Sequence, residues 1–131
     1  MDTSGSKILM ADDDRIVRRI VVAKLSGLGY NMTQAEDGQE ALGFLENGFV
    51  PDLVITDSLM PRMTGLELAR SIRKSPNADV AKLPIIMLTS RQGEHDVIEG
   101  LQTGLDDYVT KPFSPDELAA RVRTALWRAR R

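Results

Sequence analysis

Three short, continuously apolar runs punctuate the chain: Ile8-Leu9-Met10-Ala11, Leu53-Val54-Ile55-Thr56 and Ile85-Ile86-Met87-Leu88. Runs of this kind, closed by acids or hydroxyl residues, read as strands buried on both faces. Tyr30 to Ala35 and Asp107 to Thr110 are more mixed and read as edge strands. Between the runs the pattern changes to helical spacing. Ile16, Ile20, Val21, Leu25 and Leu28 predict a first helix buried along that stripe and stopped by Gly27 and Gly29. Asp37 with Glu40, and Thr64 with Glu67, give two further starts in which a capping residue precedes a glutamate by three positions. A polar, weakly amphipathic helix is predicted over about Glu94 to Thr103, ended by Gly104. Ser114-Pro115-Asp116-Glu117 then supplies a cap, a proline for the first helical position and a capping-box glutamate, and Leu118, Val122 and Leu126 mark the face of the last helix.

Five strands alternating with helices predict an α/β fold, a doubly wound sandwich whose parallel sheet is covered on both faces. Placing the three apolar strands centrally and the mixed ones at the edges gives the flavodoxin-like order 2-1-3-4-5. In such sheets ligands bind beyond the carboxyl ends of the strands, near the switch point between strands 1 and 3.

A length of 131 residues, 42% hydrophobic and 27% charged, suits one domain with its own core. Residues 1–6 are expected to be a disordered lead-in, 7–128 the domain, and 129–131 a tail or the start of a linker. With no cysteine, thiolate metal sites and thiol nucleophiles are excluded, and a reducing, cytoplasmic setting is expected. No apolar run reaches the ~20 residues of a membrane span, and residues 1–6 lack the features of a signal peptide. A net charge of −2 with interspersed signs gives no reason to expect direct nucleic-acid or membrane binding. Arg121, Arg123, Arg128, Arg130 and Arg131 cluster at the C-terminus, where cations complement a helix dipole; a contact site is the sharper alternative.

The polar residues fall at the predicted strand ends. Asp12-Asp13-Asp14 follow strand 1, Asp57 ends strand 3, Thr89-Ser90 end strand 4, and Lys111-Pro112 follow strand 5. Converging carboxylates repel one another unless a cation neutralises them. An all-oxygen donor set without His or Cys favours Mg²⁺ or Mn²⁺ over zinc. A lysine and a hydroxyl in the same crevice suit a phosphoryl group, and a carboxylate can attack phosphorus to give an aspartyl-phosphate.

These residues carry a family resemblance. Lys7 to Asp14, Thr56 to Gly65, Leu88-Thr89-Ser90 and Gly104 to Phe113, in order and at strand ends, closely resemble the receiver domain of bacterial two-component response regulators, over about Lys7 to Arg128. The resemblance implies that Asp57 is the phosphoacceptor for a phosphohistidine. It implies that Asp13 ligates Mg²⁺ directly, Asp12 largely through water, and Asp57 and the backbone carbonyl of Leu59 as well. Thr89 and Lys111 would hold the phosphoryl oxygens, Ser90 would be the small neighbour of the phosphate, Tyr108 would be the switch aromatic that turns inward with Thr89, and Lys111-Pro112 would be a cis peptide. The implied partners are a sensor histidine kinase or histidine phosphotransfer protein, and an output protein or domain. The implied responsive face is the fourth predicted helix, the fifth strand and the last helix.

Some residues depart from the family pattern. A weak homodimer through that face is put in doubt: Asp107 and Arg121 match one cross-subunit pair, but Val97 and Gln102 stand where two other partners are expected. Leu59 and Arg91 occupy positions that tune phosphate lifetime, and Leu59, with no polar side chain for a water, predicts slow loss of phosphate. A phosphatase with an aspartyl intermediate would want a second aspartate where Leu59 stands, and a flavodoxin-like redox module a Ser/Thr/Gly-rich loop where the three aspartates stand. The chain is thus expected to be no enzyme beyond assisting its own phosphorylation and dephosphorylation. A phosphorylation-independent interaction scaffold is the alternative. Asp14 reads as a helix cap, His95 as a surface residue, and Trp127, off the apolar stripe, as partly packed.

Overall fold

The computed structural model describes residues 2–90 and 101–130. In chain order the elements are β1 (Lys7–Ala11), α1 (Arg15–Gly27), β2 (Asn31–Ala35), α2 (Gly38–Glu46), β3 (Leu53–Asp57), α3 (Gly65–Arg73), α4 (Ala78–Ala81), β4 (Ile85–Thr89), β5 (Asp107–Thr110) and α5 (Pro115–Arg130). All strands pair in parallel, in the order β2-β1-β3-β4-β5 expected from the distribution of apolar residues. Most of the helix predicted over 94–103 lies outside the described residues, as do Arg91, His95 and Val97; residues 101–103 are helical, and Gly104 follows them at a φ of 112°.

The central strands are continuously apolar because both their faces are covered. Successive side chains alternate between the faces. Leu9, Val54, Ile85 and Met87 enter a core with Ala41 and Leu45 of α2 and Leu68 and Ile72 of α3. Ile8, Met10, Ile55, Ile86 and Leu88 enter the opposite core, with Val21 and Leu25 of α1 and Val122 and Leu126 of α5. These helices hold the strand ends, and hence the site, in fixed register.

Caps locate the helix starts. Asp14 accepts from the backbone N–H groups of Ile16 and Val17, and Thr64 and Glu67 form a complete capping box. Asp37 caps α2 by accepting from Glu40 N–H, but Glu40 returns its carboxylate to Glu36 N–H, so this box is not reciprocal.

Several expectations are corrected. On α1 only Val21 and Leu25 are buried; Ile16, Ile20 and Leu28 are exposed. The buried line runs through positions 17, 21 and 25, and Ile16 and Ile20 lie one residue, about 100° of helix, to its side. The lead-in expected to be disordered packs instead. Thr3 and Ser6 are buried, the Thr3 hydroxyl bonds that of Tyr30 at 2.5 Å, and Gly5 N–H donates to Gly29 O at 2.9 Å. The expected tail is helical through Arg130, which donates to Asp2 O and Ser6 Oγ and so fastens the two ends together. The single turn α4, capped by Asn77, has too few residues to show a periodicity. Trp127 is 41% exposed, in keeping with partial packing.

Candidate functional site

The carboxyl ends of β1 and β3 lie side by side, Ala11 paired with Thr56, so the acids that follow them are brought together by register alone. One carboxylate oxygen from each of Asp12, Asp13 and Asp57 lies within 4.8 Å of the others. Asp12 is fully buried and Asp57 nearly so, whereas Asp13 is exposed. From the end of β5, Lys111 reaches across the sheet: its Nζ lies 3.0 Å from Asp57 Oδ1 and 3.4 Å from Asp12 Oδ2. Asp57 Oδ1 also accepts from Ser58 N–H at 2.9 Å. Among the described residues, no hydrogen bond to Asp57 Oδ2 accompanies these.

Thr89 ends β4 with its side chain buried, beside the half-buried Ser90, and Lys111 N–H donates to Thr89 O at 2.6 Å. The Lys111-Pro112 peptide is cis, as expected. Leu59 follows the site on the β3–α3 loop with an exposed side chain. Tyr108 stands in β5 opposite Met87 and is 38% exposed.

Electrostatics set the character of the crevice. Burial pushes the Asp12 carboxyl up to about 6; the neighbouring charge of Asp57 adds to this, and Asp14 N–H and Lys111 offset only part of it. Burial works against the Lys111 ammonium, but the hydrogen bond it donates to Asp57 and the charges of Asp12 and Asp57 outweigh it, so its pKa is raised and it stays cationic. One lysine among three carboxylates leaves excess negative charge on hard oxygen donors. That donor set fits Mg²⁺ or Mn²⁺, which take carboxylates and keep coordination places for water and phosphate.

Four features go further than the sequence reading. Arg18 Nη1 donates to Asp12 O at 2.6 Å, one turn along α1 from the acids. Gly65 packs against the strand end so closely that a Cβ there would lie 2.1 Å from Asp57 O. Arg62 adopts a φ of 69° and pairs with the buried Asp37. Arg73 gathers the carbonyls of Ala81, Leu83 and Gly104 together with Asp106. Only Gly65, a glycine at the first position of a capped helix, left a trace in the sequence; the arginines are set by tertiary contacts. Among the described residues, no helix is long and apolar enough to cross a membrane.

Comparison with known proteins agrees with this arrangement. Residues 8–123 match the family model described as the response regulator receiver domain. The chain is 47% identical over 122 residues to a probable transcriptional regulator ycf27 from Galdieria sulphuraria, covering 93% of this chain and 46% of that protein. It is 43% identical to the response regulator MprA of a Mycobacterium species, covering 93% and 51%. The chain thus spans about half the length of the curated relatives it matches. A putative response regulator from Chloroflexus aurantiacus superposes with a TM-score of 0.85 at 36% identity, covering 94% of this chain and 98% of that one. The chemotaxis response regulator CheY4 of Vibrio cholerae does so at 0.83 and 31%, covering 93% and 99%. With a family model spanning nearly the whole sheet and the acids, hydroxyl and lysine in one crevice, the chain belongs to the response regulator receiver domain family.

Proposed function

We propose that the chain is a phosphoacceptor switch of a two-component system, with Asp57 as the acceptor. The observation that carries this reading is Lys111 Nζ set between Asp57 and Asp12 in a buried crevice whose acids outnumber its cations. Asp12, Asp13, Asp57 and the Leu59 carbonyl are the residues that would hold Mg²⁺; when bound, the ion supplies positive charge for the transferring phosphoryl oxygens. Asp57 Oδ2, the oxygen free of the Lys111 and Ser58 hydrogen bonds, is the nucleophile. It forms a bond to phosphorus as the P–N bond of a phosphohistidine breaks; the electron pair leaves on the imidazole nitrogen, and an acyl phosphate remains on Asp57. Lys111 neutralises charge on the phosphoryl oxygens, and Thr89 Oγ1 donates to one of them.

The new dianion changes the interactions at the end of β4. Charge-assisted hydrogen bonds of this kind contribute roughly 1.5–3 kcal/mol each. Swinging a two-state equilibrium from mostly one state to mostly the other takes about 5.5 kcal/mol. The Thr89 contact is new to the phosphorylated form and supplies part of that, whereas Lys111 already bonds Asp57 at 3.0 Å and adds only what its stronger pairing with the phosphoryl group gains. Tyr108, outward here, is the side chain that follows Thr89 inward.

A sensor histidine kinase or histidine phosphotransfer protein is the donor, and exposed Ile16 and Ile20 on α1, flanked by Arg15 and Arg19, offer it an apolar surface close to the acids. An output protein or domain reads the β5–α5 face. Arg121 binds Asp107 at 2.9 Å and Glu117 at 3.3 Å within the same chain, which argues against spending it on a dimer contact. The phosphorylated form decays slowly, because Leu59 offers no polar group to a water.

The test is intact mass after incubation with Mg²⁺ and acetyl phosphate. One added phosphoryl group is expected, absent in Asp57→Asn and absent without Mg²⁺. No adduct on a protein that binds Mg²⁺, after rapid turnover has been checked, would replace the switch by a phosphorylation-independent scaffold.

A further inference from the structure

The β3–α3 loop, residues 58–64, carries the Leu59 carbonyl and is bent in an unusual way. Met63 N–H donates to Pro61 O at 2.8 Å across Arg62, whose φ is 69°. A two-residue hydrogen bond closed over a positive φ is the rarer, strained form of γ-turn. Left-handed backbone is unfavourable for a side chain such as arginine, and it persists only where surrounding contacts hold it. Those contacts come from the start of α2. Asp37, 2% exposed, accepts from Glu40 N–H at 2.8 Å through Oδ1 and from the Arg62 guanidinium through Oδ2. Beside it, Gly38 approaches Met63 so closely that a Cβ would lie 2.8 Å from Met63 O. The strained turn is therefore fastened to α2 by one buried carboxylate and one tight backbone contact, a few residues from the acceptor aspartate.

We propose that the Asp37–Arg62 pair is a positioning device for the metal site: it sets the β3–α3 loop so that the Leu59 carbonyl completes the coordination begun by Asp12, Asp13 and Asp57. This rests on the receiver reading above. Neither residue touches the ion; each acts through the loop. The pair can be broken without losing the helix cap, because asparagine caps as well as aspartate.

The experiment is a double-mutant cycle read by calorimetric Mg²⁺ titration on wild type, Asp37→Asn, Arg62→Ala and the double variant, with thermal melts to confirm folding. Each single variant should weaken Mg²⁺ binding about five- to tenfold, and the double variant no further than either single. Dissociation constants within twofold of wild type, or losses that multiply in the double variant, would overturn the proposal even if melting temperatures fall. Asp13→Asn separates the two readings. A wild type whose Mg²⁺ binding is unaffected by that change would remove the metal site itself, and the positioning role with it.

Discussion

At the scale of the single residue, Asp12 shows what burying one carboxylate beside another costs. Its carboxyl is fully buried beside a second carboxylate and titrates at about 6 rather than 3.8. Below 3.8 the folded and unfolded chains both hold the proton and no penalty arises. As pH rises toward about 6 the unfolded chain loses it first, so stability falls with pH across this window, and above it the penalty is complete. Asp12→Asn keeps the acceptor for Asp14 N–H and removes the charge. It should therefore stabilise the Mg²⁺-free protein at pH 7 by on the order of 2–3 kcal/mol, read from urea unfolding, with a much smaller gain at pH 4. If Mg²⁺ binds at Asp12 as proposed, binding displaces the same proton, so wild-type affinity should weaken as pH drops through about 6, approaching tenfold per pH unit below it. Equal stability of the two proteins at pH 7 would show that Lys111 already balances the crevice.

At the scale of the element, the decisive junction is the one between β3 and α3. The helix starts against the strand it follows, and Gly65 permits this because a Cβ would lie 2.1 Å from Asp57 O, a backbone atom that cannot move without shifting Asp57, the proposed acceptor. Gly65→Ala should cost about 3 kcal/mol or more in urea unfolding and degrade phosphorylation with it. Gly43→Ala, in the middle of α2 with nothing within 4 Å of the added methyl, should gain up to about 1 kcal/mol. If both substitutions behaved alike, helix propensity and not close approach would govern Gly65. Elements of this kind were legible in the sequence where one residue carried the signal alone. Asp14, Thr64 with Glu67, and the apolar runs of β1, β3 and β4 each act on their immediate neighbours. What was not legible depended on partners distant in sequence. The burial of Thr3 and Ser6 needs Tyr30 and Arg130, the left-handed Arg62 needs Asp37, and the choice of Val21 over Ile20 as the buried face of α1 needs the position of α5. The site was legible because parallel strands in fixed order must bring their carboxyl ends together, and every acid and lysine concerned stands at such an end.

At the scale of the whole molecule, a local change at Asp57 has to reach a surface, and the sheet offers a short route. Asp57 pairs with Leu88, the next residue on β4 is Thr89, and Thr89 pairs with Thr110 of β5, two residues beyond Tyr108. Lys111, which grips Asp57 through its side chain, bonds Thr89 O through its backbone N–H at 2.6 Å, so the two residues proposed to hold the phosphate are already joined. Two different jobs follow. Under the proposed function, Lys111 takes part in transfer through its contact with Asp57. Thr89, whose hydroxyl bonds only Ser90 O, at 3.3 Å, among the described residues, is available to report the phosphate to β5. Thr89→Ala should therefore accept phosphate from acetyl phosphate to the same final extent, within about threefold in rate, yet fail to move the surface. Hydrogen exchange separates these outcomes. In wild type, phosphorylation should slow exchange across residues 107–110 and alter it at the start of α5. In Thr89→Ala the phosphorylated and unphosphorylated exchange profiles should coincide there. A Thr89→Ala protein that is phosphorylated and still shows the full wild-type change would place the link in Lys111 and its peptide to Pro112 rather than in the threonine. Thr89→Ser, which restores a hydroxyl at the same atom, should recover the response.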